Sequence, residues 1–314
     1  MNSHLYQCLE AEMAFITLLV LVALFAGIGY SDNCIDKFIV TALTSNSFGS
    51  SSWEEHNFVV KYGGGKTYTY ALYDRPGWDK EGGDGDTWYF NPPEVCIYPE
   101  SITQLQIIPD CTADTTCGYN PWKVETVQTF AKMTYGKIVP LSVDNMINQL
   151  IDPWNPDKAI LNLNVADVAS CHEVKNSCIY SIIIYATTSG DDSAGTDGAI
   201  RFGLKYKGVE VTLELYDRSG DDFEKDDGDL WYYNMDEFEF FFGSCVIFGD
   251  IEKVSFVEDT DDGWKIADGY VTVEIKESDT SSKYALLAGE YPIEEWIDGN
   301  SGPGYYTLPL SNNC

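Results

Sequence analysis

Aspartate residues cluster in two short segments of the C-terminal half of the chain. One segment opens with Asp191 and Asp192, and the other opens with Asp221 and Asp222. Calcium binds six to eight oxygen ligands in flexible geometry, and loops rich in aspartate and backbone carbonyls supply such ligands. The alternative is a pair of solvated acidic loops that bind no metal. The residues that we predict as Ca²⁺ ligands are Asp191, Asp192, Asp197, Asp221, Asp222 and Asp227.

The overall charge limits the classes of partner. The chain has 50 acidic and 19 basic residues in 314, which gives a formal net charge of -31. Nucleic acid is excluded as a partner, because its binding requires a basic surface that displaces counterions. An anionic membrane also repels such a chain unless cations bridge the two surfaces. The charge therefore favours either simple solubility or the binding of divalent cations.

The sequence lacks the motifs of the common hydrolase active sites. It contains no Gly-x-Ser-x-Gly and no His-Glu-x-x-His segment, and its three histidines are scattered. A nucleophilic enzyme needs a nucleophile with an adjacent base. Two carboxylates could in principle hydrolyse glycosides, but nothing singles out a pair among so many. We therefore expect a protein without catalytic activity.

Several short segments occur twice along the chain, in the same order. The matching segments are Tyr73-Asp74-Arg75 with Tyr216-Asp217-Arg218, Gly85-Asp86 with Gly228-Asp229, and Trp122-Lys123 with Trp264-Lys265. The offset between them changes by only a few residues, so one domain has been duplicated. Its length is well above that of solenoid repeats, which indicates two globular copies.

Apolar and polar residues alternate within each copy, as in strands with one buried face. In the second copy the alternation covers residues 200–204, 209–215 and 271–275, and in the first it covers 68–72. Gly-, Asp- and Ser-rich turns separate these segments at short intervals. The pattern predicts an all-β protein of two tandem antiparallel β-sandwiches with extended tails. We place the sandwiches at 31–135 and 176–278, a linker or tail at 136–175, and a C-terminal tail at 279–314. Within the linker, residues 143–151 could form a short helix.

The N-terminal residues 1–30 have the character of a secretory signal peptide. An apolar run extends from Ala14 to Ile28, which is shorter than the ~20 residues that span a bilayer as a helix. We place cleavage after Gly29 or Ser31, with an uncleaved anchor as the alternative. Secretion to the extracellular space is the expected localisation.

Eight cysteines remain after such a cleavage, and an even number in a secreted chain favours disulfide bonds. Cys34 and Cys96 are the repeat counterparts of Cys178 and Cys245, so each pair is our first choice for a bridge within one copy. The others are Cys111 with Cys117, which could close a small loop, and Cys171 with Cys314. The last two end corresponding tails, and they pair either with each other or with another chain.

The second copy resembles the PLAT/LH2 domain family. The matching segments are Cys178-Ile179-Tyr180, Ala194-Gly195-Thr196-Asp197, Phe223-Glu224-Lys225, Gly249-Asp250-Ile251 and Asp262-Gly263-Trp264-Lys265. The first copy departs from the pattern, with serines at 50–52 and Pro121-Trp122 in place of Gly-Thr-Asp and Gly-Trp. The resemblance implies a sandwich without catalytic activity that binds lipid surfaces or proteins, often with calcium at loops on one end. Calcium should accordingly bind the second copy more tightly than the first.

An aromatic segment of the second copy has two interpretations. Phe238, Phe240 and Phe241 could insert into a lipid surface or form an adhesive edge. The alternative is a core strand that leads into Cys245. Together, these observations predict a secreted, non-catalytic, calcium-assisted binding or structural protein. We expect it to be a subunit of an extracellular assembly or filament and to associate with itself or with an extracellular matrix protein. The alternatives are a lipid-surface module and the accessory subunit of a secreted hydrolase.

Overall fold

The computed structural model is an all-β protein with antiparallel sheets, which confirms the predicted fold class. It describes residues 33–47, 56–73, 82–83, 85–110, 121–145, 147–165, 171–196, 198–215, 223, 225, 228–235, 242, 245–258, 262–278, 281–298 and 304–311. The predicted signal peptide lies outside these residues.

The first copy forms a sandwich of two sheets. Its strands are β1 (Ile35–Thr44), β2 (His56–Tyr62), β3 (Lys66–Leu72), β4 (Gly85–Phe90), β5 (Ile102–Pro109), β6 (Trp122–Met133), β7 (Ile138–Asp144), β8 (Gln149–Ile151) and β9 (Leu161–Leu163). One sheet has the order β4-β1-β6-β7, with β8 paired to β6, and the other has the order β3-β2-β5-β9. Alternate residues of both sheets fill one apolar core, as the period of two requires.

The second copy repeats this arrangement strand for strand after a short helix, α1 (Cys171–Val174). Its strands are β10 (Ser181–Thr188), β11 (Ile200–Tyr206), β12 (Val209–Glu214), β13 (Gly228–Asn234), β14 (Ile251–Glu258), β15 (Trp264–Ser278), β16 (Ser281–Glu290), β17 (Glu295–Ile297) and β18 (Tyr305–Leu308). The sheets have the orders β16-β15-β10-β13, with β17 paired to β15, and β12-β11-β14-β18. All four alternating segments that the sequence indicated are strands.

Segments that the sequence predicted to be tails supply strands to the sandwich of their own copy. Residues 136–175 contribute β7, β8 and β9, and residues 279–314 contribute β16, β17 and β18. The short helix expected at 143–151 is wrong, because this segment ends β7 and forms β8. Ile151 is fully buried opposite Trp122, so a tertiary contact fixes the extended backbone there.

The two sandwiches share a third apolar core, which we call the interface core. Its residues are Ile39, Leu43, Phe130, Ile138 and Val143 from the first copy, and Ile183, Tyr185, Leu230, Tyr270 and Leu286 from the second. The central strands β1 and β10 are therefore buried on both faces. Their sequences are correspondingly continuous in apolar residues rather than alternating.

Contacts across the interface core follow an approximate two-fold axis. The register of the strands makes Gln128 the counterpart of Tyr270, and Phe130 the counterpart of Thr272. Phe130 stacks on Tyr270 with ring centroids 4.7 Å apart. In the corresponding contact, the Thr272 hydroxyl donates to Gln128 Oε1 at 3.3 Å. The halves thus pack like the subunits of an isologous dimer, in which each contact occurs twice.

The repeated Gly-Asp segment lies where the two halves meet. Gly85 of β4 pairs with Gly228 of β13, which joins one sheet of each sandwich. A Cβ at position 85 would be 2.1 Å from the Gly228 carbonyl oxygen, and one at 228 would be 1.9 Å from the Tyr185 hydroxyl. The duplicated glycines are therefore required by the close approach of the two copies.

Candidate functional site: the acidic end of the second sandwich

Three loops of the second sandwich meet at one end, because β10, β12 and β14 all finish there. The pairings of Ile200 with Glu258 and of Arg201 with Glu214 place the last residues of β14 and β12 beside the start of β11. The loops that follow β10, β12 and β14 are the acid-rich segments of this copy. We call this region the acidic end.

Thr196 connects the three loops. Its backbone N–H donates to the Phe223 carbonyl at 3.2 Å, which joins the first loop to the second. Its hydroxyl donates to the Asp262 carbonyl at 2.8 Å, which joins the first loop to the third. The loop after β12 is held in turn by the Phe223 N–H, which donates to Asp229 Oδ2 at 3.0 Å. Thr196, the middle residue of the Gly-Thr-Asp segment that carried the family resemblance, thus lies at the centre of the acidic end.

Two of the six predicted calcium ligands belong to the described residues, and both form ion pairs. Lys265 contacts Asp191, and it also contacts Glu294 at 3.1 Å. Lys225 donates to Asp192 Oδ1 at 2.8 Å. The hydrogen bond from Lys225 lowers the pKa of the Asp192 carboxyl, and the hydrogen bond to Asp191 raises the pKa of Lys265.

These ion pairs affect how well the predicted aspartate ligands suit a calcium ion. Asp197, Asp221, Asp222 and Asp227 lie outside the described residues, and so do the first-copy acids Asp79, Glu81 and Asp84. Within the described ranges, no three His, Cys, Asp or Glu side chains are grouped as a metal site requires. The oxygen-rich chemistry of the three loops suits a hard cation, but Asp191 and Asp192 are already neutralised by lysines. Calcium binding therefore stays a prediction that depends on the other four aspartates.

The structure adds three residues that the sequence analysis did not select. Asp262 had been named only as part of a turn and of the Asp262-Gly263-Trp264-Lys265 segment, yet its backbone carbonyl accepts a hydrogen bond from the Thr196 hydroxyl. Glu294 has φ +55° and accepts a hydrogen bond from the Ser189 hydroxyl at 3.1 Å, and it is the second carboxylate, after that of Asp191, that pairs with Lys265. Trp296 is 45% exposed beside Gly263, where a Cβ would lie 3.4 Å from the indole ring. The acidic run at 258–262 was the available sequence signal for Asp262. No local pattern predicts that β17, which carries Trp296, approaches the acidic end.

The predicted aromatic surface, Phe238, Phe240 and Phe241, lies outside the described residues. The adjacent Phe242 is described and packs against the core of the second sandwich. Its ring meets that of Tyr206 at 5.3 Å between centroids, in an edge-to-face arrangement. The role of the three preceding phenylalanines remains a prediction.

Two of the expected disulfide bonds are present. Cys34 bridges Cys96 with a Cα–Cα distance of 4.9 Å, and Cys178 bridges Cys245 with a Cα–Cα distance of 5.5 Å. Each bond ties the start of the first strand of a copy to the loop before its fifth strand. Cys111, Cys117 and Cys314 lie outside the described residues. Cys171 is the first residue of α1, but its side chain is not among those described.

Comparison with known proteins gives no family assignment. No family model matches the chain, and no curated protein matches it. Among solved structures it is similar to the alpha toxin of Clostridium absonum, with 24% identity and a TM-score of 0.34 over 43% of this chain and 32% of the toxin. An alpha toxin of Clostridium perfringens from an avian strain gives 24% identity and a TM-score of 0.33 over the same shares.

A second kind of solved structure covers an equal share of the chain. It is a LOX variant in complex with arachidonate, with 12% identity and a TM-score of 0.30 over 43% of this chain and 17% of that protein. The chain thus spans about a third of the toxins and about a sixth of the LOX protein. In the described residues, none of the helices has the length and apolarity needed to cross a bilayer.

Proposed function

We propose that the chain is a secreted, non-catalytic binding protein that attaches to an extracellular surface through the acidic end, with the help of calcium. The observation that carries this proposal is the convergence of three acid-rich loops on Thr196, beside a partly exposed tryptophan. The two disulfide bonds support secretion, because such bonds persist in oxidising compartments.

The large negative charge of the chain gives a bound cation a role at any anionic surface. With a net charge of -31, the chain repels anionic surfaces at close range. A divalent cation held by carboxylates of the acidic end would reduce that repulsion where contact is made. Because Asp191 and Asp192 already pair with lysines, we assign cation binding chiefly to Asp197, Asp221, Asp222 and Asp227.

Calorimetric titration of the full chain with CaCl₂ tests this assignment. We expect Asp221→Asn with Asp222→Asn to abolish the binding heat. The matched control is Asp79→Asn with Glu81→Asn in the first copy, which should leave the heat unchanged, because that copy lacks the Gly-Thr-Asp segment. No heat with the unmodified chain, or an equal loss in both variants, would refute the calcium proposal.

A lipid surface is the second candidate, and the exposure of Trp296 favours it. Indole rings partition into the interface of lipid bilayers, and this ring lies at the rim of the acidic end. Cosedimentation with phosphatidylserine vesicles, with and without calcium, tests the candidate. We expect Trp296→Ala to reduce calcium-dependent binding. Trp154→Ala, at a tryptophan of the first copy that is more exposed still (62%), should not. Sedimentation that is independent of calcium and of Trp296 would exclude this candidate.

A further inference from the structure

The strand β3 lies at the edge of its sheet. The sheet order is β3-β2-β5-β9, and in the described part of the chain β3 pairs with β2 alone. An edge strand presents unpaired N–H and C=O groups to any extended chain that approaches it. Proteins commonly protect such edges with charged side chains, proline or bulges.

The second copy provides an internal comparison. Tyr62 pairs with Lys66 at one hairpin and Tyr206 with Val209 at the other, so β12 is the counterpart of β3. This register places Thr67, Thr69 and Ala71 where β12 has Glu210, Thr212 and Glu214. These three positions lie on the face of the strand that points away from the core. The edge of the second sandwich therefore carries two carboxylates that the edge of the first sandwich lacks.

Among the described residues, the immediate surroundings of β3 have no unpaired charge and are partly apolar. Its one charged residue, Lys66, forms an ion pair with Glu94 at 2.6 Å. Tyr68 on the strand is 42% exposed, Tyr73 directly after it is 63% exposed, and Val95 next to Glu94 is 101% exposed. An edge strand that has no carboxylate, and whose single lysine is ion-paired, is unusual in a chain with a net charge of -31.

The backbone of β3 is also fixed in place. Tyr70 stacks on Phe90 with ring centroids 4.6 Å apart, and its hydroxyl donates to the Asn91 carbonyl at 2.9 Å. Tyr68 in turn packs on Tyr70 at 4.8 Å between centroids. A partner strand would therefore meet a preformed edge, and little ordering entropy would oppose its addition.

We propose that β3 is a self-association edge, at which β3 of a second copy of this chain adds in antiparallel orientation. Two such acidic molecules can approach closely only where the contact has no unpaired acidic groups, and β3 meets that condition, since it has no carboxylate and Lys66 pairs with Glu94. An antiparallel pair centred on Thr69 is self-complementary, since Thr67 lies opposite Ala71 and Tyr68 lies opposite Tyr70. The contact is isologous and closes as a two-fold dimer, with one continuous sheet through both first sandwiches. This inference goes beyond the proposed function, because the acidic end takes no part in it.

Exchange of residues between the two edges tests the inference in the full chain. Thr67→Glu with Ala71→Glu gives β3 the carboxylates of β12, and in the antiparallel register these place like charges opposite each other. Sedimentation velocity should show a concentration-dependent dimer for the unmodified chain and at least a tenfold weaker association for this variant. The reciprocal variant, Glu210→Thr with Glu214→Ala, should retain the dimer.

Each result bears on the proposal directly. A monomer at all concentrations, or a dimer that survives Thr67→Glu with Ala71→Glu, would overturn it. If that variant does not fold, by circular dichroism, the single change Thr69→Lys replaces it, with Thr212→Lys as the matched control on β12. Equal effects of the two lysine substitutions would also overturn the proposal, whereas loss of the dimer in Thr69→Lys alone would support it.

Discussion

Glycine is needed at positions 85 and 228 because the backbones of β4 and β13 approach closely there, not because the chain turns. Gly85→Ala places a methyl group against the Gly228 carbonyl oxygen, which belongs to the backbone and cannot rotate away. Overpacking of this kind costs about 1–3 kcal/mol and more where the backbone must move. We expect Gly85→Ala to lower the free energy of unfolding by about 3 kcal/mol or more, as measured by urea denaturation.

Gly228→Ala is a useful comparison, because its nearest obstacle is the Tyr185 hydroxyl, a side-chain atom. Adding Tyr185→Phe should relieve part of the cost of Gly228→Ala and none of the cost of Gly85→Ala. Equal rescue of both variants would contradict the geometry described for this junction.

A buried tryptophan of each copy makes the same hydrogen bond. Trp122 Nε1 donates to Thr44 Oγ1 and Trp264 Nε1 donates to Thr188 Oγ1, both at 2.8 Å. Removal of the acceptor leaves a buried indole N–H unsatisfied, which costs roughly 1–3 kcal/mol. We expect Thr44→Val and Thr188→Val to destabilise the protein by similar amounts in thermal or urea unfolding. Destabilisation by only one of them would show that the two copies are not equivalent at this position.

At the scale of elements, the chain that follows each duplicated domain is part of a sheet. β9 pairs with β5, and its counterpart β18 pairs with β14. After β18 the chain crosses to β16, where Leu310 bridges Ala288 and the Ser311 N–H donates to the Leu287 carbonyl at 2.8 Å. The helix α1, which begins at Cys171, also contacts β16. The helix that begins at Cys171 and the segment that leads to Cys314 thus both contact β16.

These contacts with β16 predict how Cys171 and Cys314 pair. Cys314 lies outside the described residues, but it follows Ser311 by three positions, and a chain of that length reaches at most ~11 Å. We expect non-reducing peptide mapping to find Cys171 joined to Cys314 of the same chain. A peptide dimer that links two chains through either cysteine, together with a dimer band that disappears on reduction, would contradict this expectation.

At the scale of the whole molecule, the tandem copies behave as one internally symmetric body. The interface core contains Tyr185 and Tyr270, which are fully buried between the sandwiches. Tyr185 shares a hydrogen bond with the Thr87 hydroxyl of the other copy. Burial raises the pKa of both phenols above the ordinary value of 10.0. The stability of the joined copies is therefore coupled to alkaline pH.

The sign of this coupling follows from proton release. Below pH 10 both tyrosines are protonated whether the chain is folded or unfolded, so they give no pH dependence. Above pH 10 the unfolded chain loses these protons while the native state keeps them, so the free energy of unfolding falls as pH rises. The slope is about 1.4 kcal/mol per pH unit for each proton. We expect urea unfolding between pH 8 and 11 to show this decline.

Substitution at the interface core identifies the groups responsible. Tyr185→Phe and Tyr270→Phe should each reduce the alkaline decline, and absorbance at 295 nm should show tyrosinate appearing together with unfolding. The same slope in both variants and in the unmodified chain would exclude the interface tyrosines as its cause.

Much of the fold follows from local sequence. Period-two alternation identified strands such as β11 and β12, because one face of each meets a core and the other meets water. The duplicated cysteines identified two disulfide bonds, since corresponding positions in two copies of one fold must have the same neighbours. The charge of the loops also marked the acidic end, although Asp262 and Trp296 were missed.

The tertiary structure decided how the copies are joined and which side chains are available. Gly85 and Gly228 were recognised as repeated residues, but their purpose depends on a backbone contact between segments 143 positions apart in sequence. The partners of Asp191 and Asp192 are lysines of other segments, Lys265 on β15 and Lys225 after β12, which no local pattern reveals. The absence from β3 of the carboxylates that β12 carries is likewise recognised only when the two strands are aligned through the observed register. Local sequence determines which faces are apolar and where strands turn, because those effects act within a few residues. Pairing between copies and the neutralisation of charge depend on distances in space, so the folded chain alone determines them.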